Sequence, residues 1–298
     1  MPSNLIVAII GCGNMGTAIL SGILDSTISN TTSQSPITHI IATTKSASSA
    51  SKLETQFINH ESSITLQFLA DAATKAANQA DIIILGCKPY LLDKVLATPG
   101  LADALAGKLV VSIIAGKTID VISAIITSNQ TTTNPGAKQE KETIVTRAIP
   151  NIAATVRESI TIIELPTTEP ITKHQTDTLT WIFSSIGTTK ILPPPLFDTG
   201  SMLTASIATL SVAVDGILDG CVAEGLKRSD ATEMTAQCLI GLGRMLQEGH
   251  HPAVLRESIA SPRGCTIQGL LAVEGGGVRG AFAESLIRGV GHLRKLQE

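Results

Sequence analysis

The stretch with the most specific chemistry is Gly11-Cys12-Gly13-Asn14-Met15-Gly16, directly after the apolar run Leu5–Ile10. A Gly-x-Gly-x-x-Gly loop between a strand and a helix suits a dinucleotide. The first glycine makes the tight turn, the second lets a pyrophosphate approach the backbone, and the third lets the helix lie on the strand. The phosphates would rest on the amide-rich, positive end of a helix starting near Asn14. Thr43-Thr44-Lys45-Ser46 follows a second apolar run, where a carboxylate usually holds the ribose 2′-hydroxyl. Hydroxyls and a lysine stand there instead. A lysine attracts the 2′-phosphate that a carboxylate would repel, so these residues point to NADP(H) over NAD(H). The ordinary alternative is that Lys45 is a solvated loop lysine.

Other reactive side chains carry less. His250 and His251 precede Pro252 in a polar stretch and make poor candidates for a catalytic base. The five cysteines, Cys12, Cys87, Cys221, Cys238 and Cys265, are scattered and include no Cys-x-x-Cys pair. That spacing argues against a disulfide framework and a zinc site, so no metal is expected. A reducing, cytoplasmic location fits this usage, and the first residues lack the basic leader of a signal peptide. The formal net charge of −3, with charged residues at 16%, gives no basis for a nucleic-acid partner. Aromatic residues at 2% make base stacking an improbable mode of recognition. No uninterrupted apolar run reaches the length of a membrane span.

The elements that must position these groups fall into two sets. Residues 37–42, 81–85 and 109–114 are continuous apolar runs, as expected of parallel strands covered on both faces. Residues 144–148 and 160–165 read as later strands, 17–24 as a helix, and 26–35 and 128–142 as polar loops. This alternation predicts an α/β, Rossmann-type doubly wound sheet over residues 1–192. After Pro193-Pro194-Pro195 the strand signals fade, and 210–226, 232–246, 266–273 and 280–296 are helical in pattern. The expectation for 193–298 is an all-α domain. Asp230-Ala-Thr-Glu233 resembles a capping box that would start a helix there. The 43% hydrophobic content is expected to lie in core helices and strands.

Several stretches taken together resemble the pyrroline-5-carboxylate reductases. They are the glycine loop, Gly86-Cys87-Lys88-Pro89, Ser112-Ile-Ile-Ala-Gly116, Arg147-Ala-Ile-Pro-Asn151 with Val156-Arg157-Glu158, His251-Pro-Ala-Val-Leu255, Ser261-Pro-Arg-Gly-Cys-Thr266 and Glu274-Gly-Gly-Gly-Val-Arg279. They run in order across nearly the whole chain. The resemblance implies NADPH-dependent reduction of the C=N bond of 1-pyrroline-5-carboxylate to proline. It also implies a helical dimerisation domain, with homodimers or higher homo-oligomers and active sites built where the domains meet. By the same resemblance Gly86 to Pro89, including Cys87, would lie along the cofactor with Lys88 near the ribose. Ala115, Gly116, Pro150 and Asn151 would wall the nicotinamide, and the Thr266 hydroxyl would face the ring nitrogen of the cyclic imine. Thr266 could equally be a helix N-cap.

Two departures stand out. The family's Ser-Gly-Ser-Gly-Pro-Ala loop, which cradles the substrate carboxylate with backbone amides, is replaced by Met202-Leu-Thr-Ala-Ser-Ile-Ala208. Arg263 stands where the family usually has glycine. Ser206, Arg263, Gly264 and Cys265 are therefore the candidate substrate residues beside Thr266. One reading has Arg263 take over the carboxylate through two hydrogen bonds. Another has the enzyme reduce a different cyclic imine in specialised metabolism. A third makes Arg263 a surface residue and the protein a degenerate paralogue. An alternative of another class is a non-catalytic NADP(H) sensor that keeps the nucleotide-binding domain.

Overall fold

A computed structural model describes residues 4–29, 35–131, 142–168 and 171–297. It divides into two compact units, residues 1–204 with 292–298, and residues 205–291.

The first unit alternates strands and helices: β1 (Leu5–Ile10), α1 (Asn14–Ser29), β2 (Ile37–Thr44), α2 (Ala47–Phe57), β3 (Thr65–Ala70), α3 (Ala73–Gln79) and β4 (Ile82–Leu85). Two short helices, α4 (Leu92–Leu96) and α5 (Leu101–Ala104), lead to β5 (Leu109–Ser112) and α6 (Ile119–Asn129). Then come β6 (Ile144–Ile149), β7 (Ser159–Glu164), α7 (Lys173–Ser184), β8 (Gly187–Ile191) and α8 (Pro194–Thr204). One eight-stranded sheet runs β3-β2-β1-β4-β5-β6-β7-β8. Every pairing is parallel except β6 with β7. The expected doubly wound sheet is present. Its central strands are buried throughout because helices cover both faces, which gives one core around Ile9, Ile19 and Ile84 and another around Ala8, Ile83 and Val110.

Several expectations shift. The first helix is longer than 17–24 and runs through Ser29, so it takes in the start of the expected loop 26–35. Most of the expected loop 128–142 lies outside the described residues. The proline cluster does not separate the two units. Pro194 stands in the first turn of α8, where its missing N–H costs nothing. This helix stays with the sheet: a Cβ on Gly200 would lie 3.2 Å from Ile162 Cγ2 of β7.

The second unit contains α9 (Ile207–Ala223), α10 (Arg228–Gln247), α11 (Pro252–Ile259), α12 (Cys265–Gly275) and most of α13 (Val278–Lys295). The expected start at Asp230 is corrected. Helix α10 begins at Arg228 after Lys227, without a side-chain cap, and Asp230 lies in its first turn. Arg228 fixes this start by pairing with Asp215 and Asp219 of α9, and Asp230 is favoured at the positive helix end. The expectation for apolar content is also corrected. Among the described residues of this unit only Ala231, Leu255 and Val290 are buried hydrophobics, while Leu210, Val212, Ile217, Leu239, Ile240 and Leu271 are exposed. Residues Pro194–Ala223 are together long and apolar enough to cross a membrane by length and composition, although little of that stretch is buried.

Candidate active site

In an open parallel sheet the ligand crevice lies beyond the carboxyl ends of the strands, where the strand order reverses. Here that point falls between β1 and β4. The glycine loop leaves β1 there, and its three glycines do different work. Gly11 has a φ of +82°, and a Cβ on it would come 2.8 Å from the Cys87 amide nitrogen. It serves both the turn and the close approach of the loop after β4. A Cβ on Gly16 would press on Ile9 Cγ2 at 3.1 Å and Cys12 Sγ at 3.2 Å, so Gly16 sets the helix on the strand. Gly13 is different, because a Cβ there would meet nothing within 4 Å. Its bare backbone faces open space beside the amino end of α1, the cradle a pyrophosphate requires.

A groove of about 510 Å³ opens from this loop between α1 and α2, lined by Gly13, Asn14, Thr17, Ser49, Lys52 and Arg157 among others. A larger depression, about 640 Å³, lies at the opposite, amino end of the strands, beside Asp81, Lys108 and Leu109. The topology favours the groove. Arg157 closes one side of it. Its guanidinium donates to Ser21 Oγ and Asp25 of α1, and its backbone takes a left-handed φ of +64°.

The other expected cofactor residues of the first unit divide between exposed groups and framework. Lys88, Pro89 and Ala115 are exposed beyond the carboxyl ends of β4 and β5, and Met15 is half-buried on α1. The Thr43 carbonyl accepts from the Gly11 and Cys12 amides at 3.1 and 2.8 Å, so its backbone pins the glycine loop. The Thr44 hydroxyl donates to the Ser46 carbonyl at 2.9 Å. Lys45 is exposed, and its ammonium pairs with Asp71 Oδ1 at 2.6 Å. Gly116 adopts φ +74°, with Leu293 and Leu296 of the C-terminal segment against it. Asn151 is buried and its side chain is occupied within the protein. Nδ2 donates to the Thr204 carbonyl at 3.1 Å and Oδ1 accepts from the Ala153 amide at 3.2 Å. Burial pushes the Cys12 and Cys87 thiols up to about 11, so neither is a thiolate at neutral pH.

In the second unit, Ser261-Pro-Arg-Gly264 forms a turn closed by the Gly264 amide on the Ser261 carbonyl at 3.0 Å. Arg263 holds its left-handed corner with φ +59°, where glycine would sit without strain. Gly264 is the N-cap of α12, and Cys265 and Thr266 form its first turn, both exposed. The N-cap alternative for Thr266 is thereby corrected. Ser206 lies in the short break between α8 and α9.

One cluster joins a residue of the quoted motifs to partners that carried no signal in the sequence. Arg147 of β6 is buried, pairs with Glu164 Oε2 of β7 at 2.8 Å and lies 3.5 Å from Asp198 of α8. The Phe197 ring covers its guanidinium at 4.1 Å. Burial raises the Glu164 carboxyl above its ordinary 4.5, against the opposing pull of Arg147.

Comparison with known proteins supplies the family. Residues 195–296 match the family model described as pyrroline-5-carboxylate reductase dimerisation. Residues 6–116 match one described as NADP oxidoreductase, coenzyme F420-dependent. Pyrroline-5-carboxylate reductase of Neurospora crassa is 39% identical over 95% of this chain and 90% of its own length. The chain belongs to the pyrroline-5-carboxylate reductase family. Its members make it an oxidoreductase of the NAD(P)H-dependent class acting on CH–NH groups. Another member, from Schizosaccharomyces pombe, is 32% identical over 93% of this chain and 94% of its own length. The fold is shared with a crystal structure of Plasmodium falciparum pyrroline carboxylate reductase with NADP bound. That chain has a TM-score of 0.78 at 18% identity, with both chains covered completely.

Proposed function

We infer that this member of the pyrroline-5-carboxylate reductase family reduces 1-pyrroline-5-carboxylate to proline, with NADP(H) preferred over NAD(H), as a cytoplasmic homodimer. The observation that carries the reading is the division of labour among Gly11, Gly13 and Gly16, in a chain 39% identical to a pyrroline-5-carboxylate reductase. Within that reading Gly13 and the amino end of α1 hold the pyrophosphate, Lys45 faces the 2′-phosphate and Lys88 lies near the ribose. Ala115 and Gly116 wall the nicotinamide. Asn151, whose side chain is already engaged, holds that wall in place. When bound, the reduced dinucleotide supplies the hydride. The iminium carbon is already electrophilic, so positioning is the main task of the protein. Thr266 hydrogen-bonds the imine nitrogen and orients it. Arg263, with Ser206, Gly264 and Cys265, takes the substrate carboxylate. An arginine kept at a strained, positive-φ corner fits a functional demand there.

The test is NADPH oxidation with 1-pyrroline-5-carboxylate and, in parallel, 1-pyrroline, which lacks the carboxylate. Fast turnover of the carboxylate substrate alone is the expected result, and Thr266→Ala should lower kcat about 10- to 100-fold, the worth of one hydrogen bond to a charged group. NADPH affinity should stay nearly unchanged. Turnover of the carboxylate-free ring would point to another cyclic imine. Tight NADPH binding without turnover of either would point to a nucleotide sensor.

A further inference from the structure

We propose that Asp71 tempers the preference for a 2′-phosphorylated dinucleotide by holding the Lys45 ammonium. Lys45 is the first residue after β2 and Asp71 the first after β3, and the two strands are parallel neighbours with Thr44 opposite Ala70. The two loops therefore leave the sheet side by side. The Asp71 amide donates to the Thr44 carbonyl at 2.9 Å, which fixes the aspartate beside the lysine, and Nζ meets Oδ1 at 2.6 Å. Asp71 takes this place with φ +50°, a conformation open to aspartate and asparagine but strained for most side chains. Both side chains are largely exposed, at 81% and 72%. A pair in water is weak and open to competition by a dianion. The amino end of α2 adjoins it, with Ser46 capping Ser49 and contacting Ser48.

A 2′-phosphate approaching Lys45 must displace the Asp71 carboxylate or share the lysine with it, whereas a ribose with a free hydroxyl makes no such demand. The carboxylate thus lowers affinity for NADP(H) and leaves NAD(H) untouched. This rests on the reading that Lys45 faces the 2′-phosphate.

The test is a cycle of wild type, Asp71→Asn, Lys45→Ala and the double variant, with Kd for NADP⁺ and NAD⁺ measured by calorimetry at low ionic strength. Asparagine keeps the left-handed backbone and removes only the charge, and a thermal melt checks each fold. The expected result is that Asp71→Asn tightens NADP⁺ about two- to fivefold, the range of an exposed ion pair. NAD⁺ should not change, and the Asp71→Asn step should have no effect once Lys45 is alanine. Weaker NAD⁺ binding by Asp71→Asn would overturn the proposal and make Asp71 a ribose ligand. Equal tightening of NADP⁺ in both Lys45 backgrounds would overturn it in favour of direct repulsion. If Lys45→Ala weakens NADP⁺ while Asp71→Asn does nothing, the proposal alone fails. If Lys45→Ala leaves NADP⁺ unchanged, the phosphate reading of Lys45 fails and the proposal with it.

Discussion

The two units use the same apolar vocabulary in opposite ways. In the sheet unit Ile, Val and Leu fill the strands and are sealed on both faces, with Ile83, Ile84, Leu85, Val110 and Val111 fully buried. In the helical unit the same residue types stand on the surface, Val212 at 72% exposure and Leu271 at 62%. A sheet closed between helix layers satisfies its own hydrophobic surface, whereas exposed helix faces of this extent mark an interaction surface. Residues 195–296 match a dimerisation family, which supports homo-oligomerisation of a chain carrying this unit. The first unit covers its central strands with its own helices, whereas the second leaves most of its large apolar side chains uncovered by its own chain.

The hardest test of that contrast replaces Val212 and Ile240, both exposed, with aspartate. In a symmetric dimer each change enters twice, and burying unpaired charges costs several kcal/mol. The expected outcome by light scattering is a monomer without reductase activity. Because the glycine loop belongs to the first unit, NADP⁺ should still bind within about threefold of the parent, well under the tenfold that 1.4 kcal/mol represents. A variant that remains a dimer would show that these helix faces are not the interface.

A smaller effect is expected inside the sheet unit, at the ion pair of Arg147 and Glu164. Glu164→Gln leaves the buried guanidinium with Asp198 at 3.5 Å as its remaining anion, but it also removes a carboxylate that burial disfavours. The cost should therefore fall short of about 3 kcal/mol, that of breaking a buried pair. The pH dependence follows from the raised Glu164 carboxyl. A folded-state value above 4.5 means that the native protein holds this proton more tightly than the unfolded chain does. The resulting stability is fully present below 4.5 and is lost as pH rises through the folded value. Glutamine lacks that gain, so the stability gap between wild type and variant should widen from pH 7 to pH 4 in urea titrations. A gap that narrows on acidification would mean that the carboxylate is stabilised, not strained, by its site.

The contrast also marks what could be read from the sequence. The buried strands were legible because both faces are covered, which leaves a continuous apolar run such as Ile82–Leu85. Helix α2 was not, since Ala47–Phe57 is rich in serine and shows core only at Ala50, Leu53 and Phe57. Strand β8 is a sheet edge and reads Gly-Thr-Thr-Lys-Ile, with little of it buried. The glycine loop was legible because its spacing encodes backbone geometry. The Lys45–Asp71 and Arg147–Glu164 pairs were not, because their partners stand 26 and 17 residues apart and only the strand order brings them together. The surface of the helical unit was misread for a related reason: composition records that a residue is apolar, not whether its own chain covers it.

The smallest expected stability change separates packing glycines from ligand-facing ones. Gly16→Ala would push a methyl to 3.1 Å from Ile9 and 3.2 Å from Cys12, and crowding of a packed site costs about 1–3 kcal/mol. Gly13→Ala meets open space, so its melting temperature should stay within about 1 °C of the parent, since surface substitutions stay within about 0.5 kcal/mol. Its Kd for NADP⁺ should nevertheless rise about tenfold or more, because the added methyl occupies the approach that the second glycine of the loop keeps clear. Calorimetry and a thermal melt on the same sample decide the matter. Equal binding by Gly13→Ala would move the pyrophosphate away from the amino end of α1. A large loss of stability would mean that the open space beside Gly13 is needed by the fold itself, and the glycine loop would then be architecture before it is a binding site.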